Sequence, residues 1–142
     1  MCLYIDKDKT AQEKLNTTPR VFYKLFLKSD KILQTPYMRH AINGPGKFTA
    51  PQADPSWLEY NKGMVGPGAF HARTSKEALK QDLFWAIQFE LGACIFLRIV
   101  VHSDYIIAYG NQDNVTFTEY TISEEVWKEA VRSKPLTMKD LQ

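Results

Sequence analysis

Four apolar residues at four-residue spacing, Leu79, Leu83, Ile87 and Leu91, run into the strand-like Cys94–Val101, CIFLRIVV, with only Gly92 and Ala93 between. This abrupt change of hydrophobic period constrains the fold more than any other feature. A helix with an apolar stripe and a β-branched run must be covered, and so close together they imply a helix packed on a sheet. Thr74-Ser75-Lys76-Glu77 has the capping-box spacing, which predicts a helix over about 75–91, with Gly92 as its stop. Lys76, Lys80, Gln81 and Gln88 fall on its wet side. Phe84, Trp85 and Phe89 widen the stripe and imply a helix covered on two sides. In CIFLRIVV, alternation sends Ile95, Leu97, Ile99 and Val101 toward the helix, and Cys94, Phe96, Arg98 and Val100 away from it.

The rest of the chain reads as strands and loops. Met1–Ile5 is an edge-strand candidate, and 6–18 is polar and irregular, or one weak helical turn over 11–15. Arg20–Lys28 is a strand, with Val21, Tyr23, Leu25 and Leu27 on one face and Phe22, Lys24, Phe26 and Lys28 on the other. Ser29-Asp30-Lys31 turns it into a returning strand over 32–35. Pro36, Pro45, Pro51 and Pro55, with Gly44 and Gly46, leave no room for a helix or central strand. Segment 36–56 therefore reads as a long loop, of the kind that is functional or disordered in compact domains. Gly66-Pro67-Gly68 turns the chain sharply into Ala69–Ala72. Tyr105–Tyr109 is a short strand, 110–114 a turn, and 115–122 one alternating strand. Thr121-Ile122-Ser123-Glu124 repeats the capping-box spacing and predicts a short helix over about 123–132. Pro135 closes it, and 136–142 reads as a tail. The expected fold is a single α+β domain over 1–142. It has a mostly antiparallel, curved sheet, one long central helix and a short C-terminal helix.

Composition narrows the function classes. With 44% hydrophobic and 13% aromatic residues, the chain is an ordered globular protein. No apolar run reaches the length of a membrane-spanning helix, and MCLYIDKDKT lacks the apolar centre of a secretion signal, so a cytoplasmic protein with no membrane partner is expected. Two cysteines, Cys2 and Cys94, make neither a disulfide framework nor a zinc site. A net charge of +2 gives no strong nucleic-acid signal.

No phosphate-binding glycine loop, zinc pattern, nucleophile elbow or dinucleotide fingerprint occurs. What remains is His71 beside Arg73, followed by Thr74 and Ser75, where a strand enters the predicted helix. The unpaired amides and partial positive charge of a helix start favour an anion. A pocket there, between the 36–60 loop and the helix, would take a polar or anionic, nucleotide-like small molecule. Tyr37, Trp57 and Tyr60 would cover it, and Tyr23 and Lys24 of the first long strand would complete it. The plainer alternative, and the commoner one for a lone histidine, is that His71 and Arg73 satisfy nearby carbonyls. Lys24 and Lys28, on one face with Phe22 and Phe26, either bind anions or form an amphipathic outer face. Cys2 would become an N-terminal nucleophile if the initiator Met were removed; a cysteine in an edge strand is the simpler reading.

The opening Met1-Cys2-Leu3-Tyr4, the Phe22-Tyr23-Lys24 strand and Gly68-Ala69-Phe70-His71-Ala72 before a helix resemble small proteins of bacteria and their phages. That likeness implies a phage or mobile-element setting, in which a host protein is an expected partner. Gly68–Ser75 leading into a helix also resembles the second motif strand of ADP-ribosyltransferases. There Tyr23 or Lys24 would stand on the first motif strand and Glu119 at the acidic third motif, with NAD as co-substrate. This chain departs from that pattern, with no His-x-Gly on the first strand, no Arg at positions 23 or 24, and no Glu-x-Glu pair. The expectation is therefore a binding protein without a resident cofactor. The alternatives are an NAD-using transferase and a protein-interaction module, for instance a homodimer paired through an edge strand.

Overall fold

The computed structural model describes residues 3–36, 41–50, 64–65 and 69–141. Its elements are β1 (Leu3–Tyr4), α1 (Lys7–Lys14), β2 (Arg20–Ser29), β3 (Ile32–Gln34), β4 (Ala41–Ile42), β5 (Gly46–Thr49), β6 (Met64–Val65), β7 (Phe70–Arg73), α2 (Leu79–Gln88), β8 (Cys94–Val101), β9 (Ile106–Tyr109), β10 (Asn114–Phe117), β11 (Glu119–Ile122) and α3 (Glu124–Arg132). This is an α+β fold. β1 and β6 pair on their own, and the other nine strands form one antiparallel sheet. Its main path runs β5-β11-β8-β2-β7-β10-β9, and β3 and β4 extend from the far end of β2. Among the described residues, no helix is long and apolar enough to cross a membrane.

The 115–122 segment, expected as one strand, is two strands bent at Thr118. β10 pairs with β7 and β9, whereas β11 pairs with β8 and β5, and three strands lie between β10 and β11 along the sheet. One residue cannot span that distance across a flat sheet, so the sheet curls to bring β10 and β11 together at the bend. Thr118 N–H donates to the Tyr105 carbonyl at 2.9 Å, and its own carbonyl accepts from Ala50 N–H at 2.8 Å. A register shift between Thr116 and Phe117 marks the corner, the usual device by which a strand changes sheets.

The concave side holds the main core. Phe22 and Phe26 lie there with Ile95, Leu97, Ile99 and Val101, and with the buried Phe117 and Tyr120. This corrects the expected facing of β8. Its Ile95–Val101 set points into the curl, and α2 lies on the opposite face, where Leu79, Leu83 and Ala86 meet Leu25, Leu27 and Cys94. Both faces are buried there, so alternation alone could not say which one the helix covers.

The central helix is also shorter than expected, Leu79–Gln88 rather than about 75–91. Thr74 is not its cap. Ser75 Oγ accepts from Ala78 N–H at 3.2 Å and closes a preceding turn instead. The far end closes before Gly92, with Leu91 N–H on the Ala86 carbonyl and Glu90 N–H on the Ile87 carbonyl. That pair of bonds is a Schellman ending whose left-handed residue is Glu90, at φ +51°, a position glycine usually takes. Phe84, Trp85 and Phe89 are 42%, 45% and 63% exposed, so α2 is covered on one side and not two.

Three further corrections follow from polar contacts. The expected irregular segment 6–18 contains α1, capped by Asp6, which accepts from Lys9 N–H at 3.0 Å. The helix docks through Thr10, whose hydroxyl accepts from Tyr109 N–H at 2.9 Å. Segment 36–56 is not loop throughout, since β5 fits between Pro45 and Pro51 as an edge strand, where proline is tolerated next to the ladder. The 136–142 tail is anchored, with Leu136 N–H on the Cys94 carbonyl at 2.8 Å and a 3₁₀ turn over Met138–Leu141. Because β8 pairs with β11 only through Thr121↔Val100, its Cys94 end lacks a strand neighbour on that side. α3 and the Leu136 segment cover it. Lys28 fixes α3 there, its ammonium donating to the carbonyls of Ala130, Val131 and Ser133 at 3.1, 2.7 and 2.7 Å, the favourable place for a cation at a helix C-terminus.

Candidate functional site

β7 alternates as a strand must. Phe70 and Ala72 enter the main core, which turns His71 and Arg73 to the α2 side. β7 touches β2 through a single register pair, Tyr23↔Arg73. Continued, that register would set Leu25 against His71, but the strands part, and β3 takes up the edge of β2 only from Leu27 onward. The split leaves the His71 carbonyl without a ladder partner, and the Lys24 ammonium donates to it at 2.5 Å. A cavity of about 60 Å³ occupies the split, roofed by α2. Lys24, His71, Arg73, Asp82 and Asn114 contribute its polar lining, and Leu25, Leu79 and Ala86 much of the rest. That is above the roughly 10–15 Å³ needed to admit a water.

The polar groups are unequally satisfied. Arg73 is fully engaged. Its Nε and Nη2 grip both oxygens of Asp82 at 3.0 and 2.8 Å, and Nη1 donates to the Gln112 carbonyl at 2.7 Å. It ties β7 to α2 and to the β9–β10 turn, and its charge is balanced in place. His71 differs: Nε2 is buried and has no hydrogen-bond partner among the described residues. Leaving such an atom unpaired costs about 1–3 kcal/mol. Burial, aided by the Lys24 and Arg73 cations, pushes the imidazole down to about 3, so at neutral pH His71 is neutral, with one N–H and one lone pair. Burial also pushes the Lys24 ammonium down to about 8, partly offset by the Asp82 carboxylate.

The other expected site residues are placed differently. Thr74 and Ser75 sit on Asp113, Thr74 N–H on its carbonyl and Ser75 Oγ 3.2 Å from Oδ2. The amides of Ala78, Leu79 and Lys80 are met by Ser75 Oγ and by the carbonyls of Lys76 and Glu77. Those three amides already have partners and are not free to meet an anion. Tyr23 is half-buried and lines a separate groove with Arg98 and Glu129. Tyr37, Trp57, Tyr60 and Cys2 lie outside the described residues. Lys28 is held on the α3 carbonyls. Glu119 accepts from Thr49 Oγ1 at 3.1 Å on β11 and is not among the residues lining the cavity. Asp82 and Asn114 were not anticipated. The one available signal for Asp82 was an acid in the first turn of an apolar-striped helix, close in sequence to an arginine whose charge needed balancing.

The two shifted groups predict a pH dependence. His71 takes its proton near 6.5 when unfolded but only near 3 when folded. Between these values the unfolded chain holds more protons, so stability falls as pH drops. Lys24 acts in the same sense at the alkaline end. Its folded amine loses the proton near 8 and the free one near 10.5, so this group makes stability rise across that window. Urea midpoints should therefore fall from about pH 6.5 to 5, above most carboxylate titrations, and His71→Leu should flatten that limb. Lys24→Met should flatten the alkaline rise. Unchanged limbs in both variants would contradict the burial of these groups.

No family model matches the chain, and neither does any curated protein or solved structure.

Proposed function

We propose that the chain works by recognition, seating a small polar or anionic group in the split between β2 and β7. The observation that carries this reading is His71 Nε2, a buried polar atom beside a cavity, with no hydrogen-bond partner among the described residues. Lys24 Nζ supplies the second polar contact, with two of its three protons left over after the His71 carbonyl. The size of the space suits a carboxylate or a comparable end group; drug-sized ligands occupy clefts of about 300–1,000 Å³. A nucleotide-like molecule would engage it by one end. Thermal unfolding against small carboxylates and nucleotides tests the reading. A true ligand at a hundredfold excess over its Kd should add about 2.7 kcal/mol. The gain should vanish in His71→Leu and persist in Ser75→Ala. A melting temperature indifferent to every acid and nucleotide tried would overturn it.

A second reading, an interaction module that pairs with another copy or with a host protein, is supported by the outer face of α2. Trp85 and Phe89 stack at 5.3 Å and 11°, and Phe84 meets Trp85 edge-on at 5.9 Å, all substantially exposed. Contiguous exposed aromatic groups of this kind mark contact surfaces. Sedimentation should show self-association that Trp85→Ser abolishes, or a monomer that binds its partner through this face.

A further inference from the structure

We propose that Lys24 is a carbonyl-reactive amine, and that the group seated beside it belongs to a small 2-oxo acid, captured as an imine on Nζ. This rests on the recognition reading above and names its ligand class. The geometry supplies three requirements. First, Lys24 is 7% exposed, and its amine reaches a cavity walled largely by aliphatic side chains. An amine desolvated in this way is of the kind that forms Schiff bases. Second, among the described residues no carboxylate bonds it, although the Asp82 carboxylate partly supports its charge. The charged and titratable groups around it are His71 and Arg73 of β7 and Asp82 of α2, and Asp82 is already held by both donor edges of Arg73. Third, His71 Nε2 has no partner among the described residues. As an N–H it would hold the carboxylate or the carbinolamine oxygen, and in the other tautomer it would accept the carbinolamine hydroxyl.

The step balances without a further reactant. The ammonium gives one proton to solvent, and the neutral amine attacks the carbonyl carbon, forming a carbon–nitrogen bond. The resulting carbinolamine loses the former carbonyl oxygen as water, leaving the imine. Nothing is oxidised or reduced, and hydrolysis returns the free lysine. Burial lowers the amine to about 8. At pH 7.5 the neutral fraction is therefore roughly two-hundredfold larger than for an ordinary lysine, and about tenfold faster reaction remains after discounting its weaker basicity.

The experiment treats the folded chain with glyoxylate and sodium cyanoborohydride at pH 7.5, which reduces any imine to a stable carboxymethyl-lysine, and maps the modified positions by mass spectrometry. Lys24 should be labelled about tenfold faster than any exposed lysine. Glycolate, of the same size but with no carbonyl, should slow labelling at Lys24 and not elsewhere. Labelling of Lys24 no faster than of surface lysines overturns the proposal. If glycolate nevertheless raises the melting temperature, the recognition reading survives that loss. Selective labelling that glycolate does not slow overturns the acid-binding half of the proposal, and with it the carboxylate form of the recognition reading.

Discussion

Asp82→Ala is expected to lower the unfolding free energy by about 3 kcal/mol, the lower end of what breaking a buried ion pair costs. The asymmetry of the pair sets that figure. The Arg73 side chain is 8% exposed and Asp82 24%, so removing the acid strands a guanidinium that water can scarcely reach, with only the Gln112 carbonyl as partner. The damage comes from an uncompensated charge more than from a lost attraction. Replacing both partners by apolar side chains, Arg73→Met with Asp82→Leu, should therefore recover most of the loss. Urea unfolding of Arg73→Met, Asp82→Leu and their double variant forms the cycle. The result also bears on function. If Arg73 is the wall of the cavity and His71 and Lys24 its contacts, the double variant should keep any ligand-induced gain in melting temperature that His71→Leu loses. A double variant as unstable as Asp82→Ala would show that the arginine does more than balance this carboxylate.

The elements legible in the sequence were those whose periodicity is decided locally. Arg20–Lys28, Cys94–Val101 and the helix after Ser123 stand close to where alternation and capping put them. What was not legible depended on partners far along the chain. α1 has little apolar character to announce it and is held by Thr10 on the backbone of Tyr109. The choice of face for α2 turned on which side of a doubly buried sheet the curl would enclose, and that is set at Thr118, a residue with no propensity signal of its own. The candidate site was half legible. His71 and Arg73 share one side of a short strand, and that much follows from alternation. Their opposite fates do not. Arg73 is neutralised by an acid nine residues on and by a carbonyl thirty-nine residues on, whereas His71 faces a gap that exists only because β7 leaves β2 after one register pair. A local pattern cannot announce where two strands will part.

Phe117→Ala should cost about 3–5 kcal/mol, the range for deleting a buried aromatic ring, and should do so without splitting the unfolding transition. Phe117 has no exposed surface. Its ring stacks on Phe22 at 6.2 Å and 24°, meets Tyr120 edge-on at 5.9 Å, and lies 6.1 Å from Phe70. Those three rings belong to β2, β11 and β7, strands from both sides of the bend at Thr118. A cavity at this point therefore loosens both halves of the curl at once, with no single neighbour able to collapse into it. Stability of folded domains is typically about 5–15 kcal/mol, so the loss is a large fraction of the whole. Circular dichroism and tryptophan fluorescence should still report one shared midpoint in urea, shifted equally. Phe84→Ala, on the exposed face of α2, should move that midpoint little, as surface changes do. If the Phe117 variant unfolds in two steps, or loses less than the Phe84 variant, then the curl is not held through this ring. The two arms of the sheet would then have to be treated as separately stable, and a cavity that depends on their meeting would lose its frame.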